Sequence, residues 1–326
     1  LSKKITVTKT ETLSPELSFI IPCLNEHDTV GGLLKTLHQT YPDAQIVLVD
    51  DGSTPPVMAL PGVQIIRHPQ SLGNGAAIKA GVREANGNVL VFMDADGQHD
   101  PEDIQGLLDI IDQGFDMVIG ARRQNTHAGW HRRWANRFFN RLASYMVGKP
   151  IEDLTSGFRA ARADVFRKFL YLLPNGFSYP TTSTIAFFRC GYAVAYMPIS
   201  AHQRQGHSKI RLFQDGTKFL LIILRIGALF SPMRFFLPLS GLLFLTATFY
   251  HSYTYISSGR FTNMGIVIYL SSLITFMFGI LSEQISALHY RFSEDRRRHS
   301  DYPALLTNQS TRRLSENKSR SEGKRI

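Results

Sequence analysis

The chain has 326 residues, 44% of them hydrophobic, which supports a substantial core and excludes a disordered protein. A formal net charge of +10 calls for an anionic partner: nucleic acid, a phosphate-bearing substrate or the surface of an acidic membrane. Two cysteines, Cys23 and Cys190, give neither a disulfide framework nor zinc spacing, so both read as inert core thiols in a reducing compartment.

Residues 1–16 are polar and without a usable period, and read as a flexible segment. They carry no signal-peptide pattern, and because the chain opens on Leu1 its true start is expected to be missing or processed. Residues 17–21 form the first strand, which Pro22 ends. Asn25 and Glu26 follow in a loop, and residues 30–40 have helical spacing at Val30, Leu33, Leu34 and Leu37. Residues 45–49 are a second strand running into Asp50, Asp51, Gly52 and Ser53, with Pro55 and Pro56 blocking a regular continuation. Residues 64–67 are a third strand, and Gly73, Asn74 and Gly75 lead into a helix over 76–85. Residues 89–93 have the composition of a strand buried on both faces, ending in Asp94, Asp96, Gly97, Gln98 and His99. Asp100 and Pro101 read as the cap and first residue of a helix, and 116–119 as another strand. Apolar strands alternating with helices predict an α/β fold with a mainly parallel sheet covered on both faces. Residues 122–141 hold six arginines and no acid, and a helix is expected over 134–147.

The final third changes character. Residues 210–229 set Arg211, Lys218 and Arg225 among Phe213, Phe219, Leu220, Ile222 and Ile223, the pattern of a helix lying in a membrane interface. Residues 235–256 contain no Asp, Glu, Lys or Arg, and residues 266–287 contain only Glu283. Each is long enough to cross a hydrocarbon core of about 30 Å. Basic residues crowd the outer flanks, at Arg225, Arg234, Arg291 and Arg296 to Arg298, against Arg260 alone in the hairpin, which puts both ends and the N-terminal domain in the cytoplasm. The tail from about residue 291 is basic and reads as disordered. Glu283 and His251 have no partner evident in the sequence and are taken as structural.

Asp94, Asp96 and Gln98 stand at i, i+2 and i+4 where a buried strand leaves its sheet. There, hard oxygen ligands suit magnesium or manganese and a diphosphate. The competing reading is a plain Asp-Gly turn. The buried strand before it, and the second carboxylate pair at an equivalent strand end, favour the site. Asp50 and Asp51 accept either from a ribose or base edge or from their own loop as Asx caps. Gly73 to Gly75, lacking the ending of a P-loop, offer helix N–H groups to a phosphate. Arg122, Arg132 and Arg133, with Arg204 and Lys209 just before the interfacial helix, suit a phosphate monoester held at the bilayer surface. The same distribution, and the lack of any aromatic-basic module, argue against nucleic acid.

The motifs PCLNE, VDDGS, GNGAAIKAG, MDADGQHDPED, GARR, DLTSGFR and RQGHSKI, in this order and before two membrane spans, resemble the polyprenyl-phosphate glycosyltransferases of glycosyltransferase family 2 over residues 17–290. The resemblance implies a cytoplasmic GT-A type nucleotide-sugar domain over 17–209, a juxtamembrane segment over 210–234 and a transmembrane hairpin over 235–290. It implies that Pro22, Asn25, Glu26 and Asp51 line the nucleotide site, and that Asp94, Asp96 and Gln98 hold the metal and diphosphate. Arg122, Arg132, Arg204 and Lys209 then hold the lipid phosphate. Asp153 lies near the reacting sugar, as base or as orienting group. The implied reaction is inverting transfer of one sugar to polyprenyl phosphate with Mg²⁺ or Mn²⁺, and a homo-oligomer formed through the membrane helices is compatible with it. A processive polysaccharide synthase fits less well, because Trp130 stands where the glutamine of QxxRW belongs and two spans are few for a polymer channel. A non-catalytic sensor of sugar nucleotide or anionic lipid is the rival from another class.

Overall fold

Seven strands assemble one sheet in this computed structural model, which describes residues 16–58, 60–122, 130–176, 178–200, 220–221, 223–225, 227, 231–260, 262–286 and 288. The strands are β1 (Leu17–Cys23), β2 (Gln45–Asp50), β3 (Val63–Arg67), β4 (Val89–Phe92), β5 (Met117–Arg122), β6 (Arg159–Arg162) and β7 (Val194–Ile199), in the order β3-β2-β1-β4-β6-β5-β7. All neighbours are parallel except β6, which runs antiparallel to both β4 and β5. The central strands are near-continuously apolar because both faces are covered. Phe19, Ile21, Ile46, Leu48, Val89 and Val91 pack with α1 (His27–Thr40) and α3 (Asp103–Asp112). The alternate residues Val47 and Val49 meet α2 (Asn74–Glu84), whose Ala77 is fully buried. Each large apolar side chain so buried contributes roughly 1.5–3 kcal/mol, the main term against chain entropy.

Several boundaries differ from the sequence expectation, α1, α2 and β5 by two or three residues at one end. Strand β1 runs through Pro22 to Cys23. Its pairing with β4 stops at Ile20, whose carbonyl accepts from Met93, so two residues later the β4-facing side of Pro22 has no ladder bond to lose. Helix α3 begins at Asp103 rather than Pro101, because Asp100 caps a separate turn by accepting from the N–H of Glu102 at 3.0 Å. Helix α4 (Trp130–Val147) starts four residues before the expected 134.

Between β5 and the end of the sheet lie α4, α5 (Ala163–Arg167) and α6 (Tyr179–Arg189). The α6 sequence is rich in Thr and Ser, poor helix formers, yet Thr181, Thr182, Ser183 and Thr184 are fully buried. They surround Arg159, itself fully buried, whose guanidinium donates to Pro180 O at 3.1 Å, Ser183 Oγ at 2.8 Å, Thr184 Oγ1 at 3.2 Å and Ser156 O. Tertiary hydrogen bonding has overridden local propensity here.

Contacts divide the chain into two units, Leu1–Gly227 and Ala228–Ile326. In the second, α7 (Pro232–Ser258) and α8 (Asn263–Ser286) have mean hydropathy 1.3 and 2.1 and are 11% and 17% buried, so they are not a soluble core. They are long and apolar enough to cross a membrane. Gly259, at φ +63°, ends α7, and Ser272 Oγ donates to Ser240 O at 2.8 Å between the helices. Glu283 has a partner that sequence did not reveal: its carboxylate accepts from Met233 N–H at 3.3 Å, at the positive end of α7. The expected segments 1–16, 210–229 and 291–326 lie almost wholly outside the described residues.

Candidate active site

Parallel strands place their carboxyl ends along one edge, so the loops after β1, β2, β4 and β5 meet there. The antiparallel β6 adds to that edge from the opposite direction. Arg159 pairs with both Phe92 and Ile119, so the start of β6, with the loop 151–158 before it, lies beside the ends of β4 and β5.

After β1, Asn25 adopts φ +58°, which asparagine tolerates, and joins two loops. Its N–H donates to Ser53 Oγ at 3.0 Å, and its Oδ1 accepts from Thr54 N–H at 2.9 Å. Glu26 begins α1, its carbonyl accepting from Val30 N–H at 3.1 Å. After β2, Asp50 Oδ1 accepts from Ser53 N–H at 2.8 Å and Oδ2 from Val57 N–H at 3.2 Å. Asp51 takes four donors, from His68 Nδ1 at 2.7 Å, Ser71 Oγ at 2.8 Å, and the N–H groups of Leu72 and Gly73 at 2.9 Å. Both carboxylates are buried. For each, burial opposes the charge and the donors outweigh it, holding the group below the usual carboxylate range. They cap their own loops, the second of the two roles open to them in sequence.

The N–H groups of Gly73, Gly75 and Ala76 at the start of α2 are taken by protein acceptors, Gly73 by Asp51. Gly75 N–H donates to Gly176 O at 3.0 Å and Ala76 N–H to Asn175 O at 2.8 Å, so the loop 174–176 occupies the place assigned to a phosphate. Gly75 is there for that approach, since a Cβ on it would lie 1.9 Å from Pro174 O.

After β4, Asp96 Oδ1 accepts from Gln98 N–H at 3.2 Å across Gly97 at φ +71°, an Asx turn. Thr29 Oγ1 on α1 donates to Ala95 O and ties this loop down. Asp94 is half-buried beside Gly157, whose missing Cβ would lie 2.6 Å from Asp94 Oδ2. At the end of β5, Arg122 grips Asp153 with both arms of its guanidinium, Nε to Oδ2 at 2.8 Å and Nη2 to Oδ1 at 3.0 Å, and Nη2 also donates to Thr155 Oγ1 at 2.6 Å. Burial works against the Arg122 charge, but Asp153 first, then Asp94 and Asp96, raise its pKa. Burial likewise pushes Asp153 up, and Arg122 more than reverses it, leaving the carboxylate ionised and its pKa lowered.

His99, 7% exposed, stacks on Phe158 at 5.0 Å between ring centroids. Burial draws its pKa down to about 4, so it is neutral near pH 7, although Asp96 raises it in part. A pocket of about 80 Å³ opens beside Asp94, with Thr155, Ser178 and Tyr179 in its wall. Sequence reading missed Thr155 and the α6 residues; DLTSGFR pointed to the first, and nothing local pointed to the second.

The edge thus brings together Asp94, Asp96, Arg122 and Asp153. Pro22 and Asp50 stand at the ends of β1 and β2, and Asn25, Glu26, Asp51 and Gln98 on the loops of the same edge. Arg132 falls in α4 before the side chains that are described, which begin at Arg137, and Arg204 and Lys209 lie outside the described residues. Among the described residues no three His, Cys, Asp or Glu side chains group as a metal cage. Two carboxylates and an amide oxygen fit Mg²⁺ or Mn²⁺, which keep water and substrate phosphate as remaining ligands.

Residues 18–170 match the family model for glycosyl transferase family 2, and residues 231–288 match that of the GtrB C-terminal hairpin. The chain is 31% identical over 210 residues to polyprenol monophosphomannose synthase of Mycolicibacterium smegmatis, covering 59% of this chain and 79% of that one. It is 30% identical over 213 residues to dolichyl-phosphate hexose transferase of Haloferax volcanii, covering 64% and 92%. It is 33% identical over 171 residues to undecaprenyl-phosphate 4-deoxy-4-formamido-L-arabinose transferase of Edwardsiella ictaluri, spanning 48% of this chain and about half, 51%, of the relative. Among solved structures, glucosyl-3-phosphoglycerate synthase from Mycobacterium tuberculosis, in complex with Mn²⁺, UDP and phosphoglyceric acid, has the same fold, with TM-score 0.53, 17% identity and coverage of 65% and 78%.

Proposed function

The chain belongs to glycosyltransferase family 2, and from that premise we propose that it moves one sugar from a nucleoside-diphosphate donor to a polyprenyl phosphate at the cytoplasmic membrane face. The observation that carries this reading is the meeting of the Asp94 and Asp96 carboxylates with the Arg122–Asp153 pair at one sheet edge, in a chain that also has two membrane-length helices.

Pro22, Asn25 and Glu26 flank the nucleotide, and Asp50 and Asp51 shape its loops. Asp94, Asp96 and Gln98 would hold a divalent cation, which when bound would supply positive charge to the departing diphosphate. A phosphate oxygen of the lipid bonds to the anomeric carbon as the bond from that carbon to the diphosphate breaks, inverting the configuration and releasing the nucleoside diphosphate. A phosphate monoester, with its second pKa near ~6, is largely ionised at neutral pH and needs no strong base. Asp153, ionised and clasped by Arg122, accordingly positions the guanidinium instead of accepting a proton. Arg122 and, by the sequence pattern, Arg132, Arg204 and Lys209 attract the acceptor phosphate. Basic flanks around an almost uncharged hairpin support cytoplasmic termini, and the apolar faces of α7 and α8 offer a surface to lipid and to a second copy of the chain.

Incubating the purified chain with labelled sugar nucleotides, Mg²⁺ or Mn²⁺ and polyprenyl phosphate should give a lipid carrying one sugar. A long polymer would instead support a synthase, and binding without turnover a sensor.

A further inference from the structure

Arg159 is a fully buried cation that the chemistry described so far does not use. Among the described residues no carboxylate pairs with it, and its guanidinium donates to the neutral acceptors Pro180 O, Ser183 Oγ, Thr184 Oγ1 and Ser156 O. Its Nε has no partner among the described residues. Burial pulls its pKa down, opposed in part by Tyr179, Tyr196, Asp153 and Asp94, yet a guanidinium keeps its proton at every pH where proteins work. A charge so placed is a standing cost, and a well-packed apolar side chain of similar volume is commonly neutral or stabilising in such a position.

The hydroxyls around it do not account for it. Ser183 Oγ donates to Tyr179 O at 2.9 Å and Thr184 Oγ1 to Pro180 O at 2.7 Å, so α6 satisfies its own hydroxyl protons without Arg159. The acceptors serve the cation, and the cation is not there to serve them.

Its position gives the charge a use. The guanidinium carbon lies 5.6 Å from the Tyr179 ring centroid, Tyr179 OH donates to Gly157 O at 2.9 Å, and a Cβ on Gly157 would lie 2.6 Å from Asp94 Oδ2. Tyr179 and Pro180 also wall the pocket beside Asp94, so Arg159 stands one residue behind the edge where Asp94, Asp96 and Asp153 gather. That edge has to receive a diphosphate among three carboxylates and the one guanidinium of Arg122. A buried cation is screened by water and salt far less than an exposed one, so its field reaches through the wall.

We propose that Arg159 is a fixed counter-charge beneath the donor edge, favouring the arriving diphosphate and restraining the affinity of the carboxylates for a metal ion alone. This deepens the donor reading given above and rests on it. Arg159 touches neither ligand; it acts through its field and through Ser156 O in the loop that carries Asp153, as a positioning residue. Because the two ligands are opposite in charge, removing the cation shifts their affinities in opposite directions, whereas a loosened site weakens both.

Arg159→Met keeps the apolar stem and removes the charge, and Arg159→Lys keeps the charge and loses the fork. Calorimetric titration of the full chain in detergent would use Mn²⁺ alone, then UDP and GDP in saturating Mn²⁺. In Arg159→Met we expect Kd for Mn²⁺ to fall, and Kd for the nucleoside diphosphate that the wild type binds to rise, each by about threefold to tenfold. Arg159→Lys should stay near the wild type for both, and carries the test if Arg159→Met does not fold. Any pattern in Arg159→Met other than these opposite shifts, or weakening of both ligands in Arg159→Lys, would overturn the counter-charge and leave the donor class standing. Wild-type protein that binds neither nucleoside diphosphate would overturn the donor reading itself, and this proposal with it.

Discussion

Replacing Asp153 by asparagine separates two roles for this carboxylate, holding Arg122 or accepting a proton. It takes the guanidinium at 2.8 and 3.0 Å and also receives the N–H groups of Thr155 and Ser156 at 3.0 and 3.1 Å. Asparagine keeps the shape, loses the charge and turns an NH₂ toward one of these donors. Removing one partner of a fully buried pair costs about 3–5 kcal/mol. The Arg122 side chain is 37% exposed, so water restores part of what it loses. A loss of about 2 kcal/mol at pH 7 follows, within the range for hydrogen bonds to charged groups. In a domain of this size that lowers the melting temperature by about 4–8 °C. The sign of the pH dependence is fixed by a folded-state pKa below the unfolded one. The pair's contribution is complete above the unfolded carboxylate value of about 3.9, and is lost as the pH falls through the lower folded value. Thermal scans of both proteins in detergent should show a gap that is constant down to about pH 5 and closes below it. Turnover assays should show a raised acceptor KM and a pH–rate profile of the same shape as the wild type's, because Asp153 stays ionised throughout the neutral range. A variant of unchanged stability and unchanged acceptor KM whose kcat collapses at every pH would refute the holding role and restore Asp153 as a base.

Asp96→Asn should abolish transfer while leaving the melting temperature nearly unchanged, and near-normal turnover at limiting Mg²⁺ or Mn²⁺ would sink the metal assignment. Gly75→Ala should destabilise the domain by about 3 kcal/mol, the upper part of the usual overpacking range, because the new Cβ meets backbone at Pro174 O; an unaltered urea midpoint would show that the loop 174–176 yields freely. Residues 291–326 should resist protease added outside intact cells, and their cleavage there would reverse the topology.

The half of the edge built by β1, β2 and β4 was legible because its strands are buried on both faces and end abruptly in polar residues. The run Val89 to Met93 followed by Asp94 announces both strand and loop. The half built by β6 and α6 was less so. Strand β6 is the four residues Arg159–Arg162, two alanines between arginines, with no apolar run to mark a strand; its pairing comes from β4 and β5 on either side. Helix α6 hides behind Thr and Ser whose hydroxyls serve Arg159, a relation with no local signature. Asp50 and Asp51 illustrate the opposite limit: sequence offered two acceptors at a strand end, and only the fold reveals the loop donors that each already takes.

The place of β6 also orders the birth of the molecule. Strands β3, β2, β1 and β4 are neighbours in the sheet and complete by Phe92, so that side can pair while later residues are still being synthesised. Until Arg159–Arg162 is made, VLVF at Val89–Phe92 has an open hydrogen-bonding edge, and β5 has no bridge to it. A strand that apolar is a template for another chain. The nascent protein is therefore most open to misassembly in the interval between β4 and β6, a stretch that includes the six arginines of residues 122–141, a charge that opposes association of like chains.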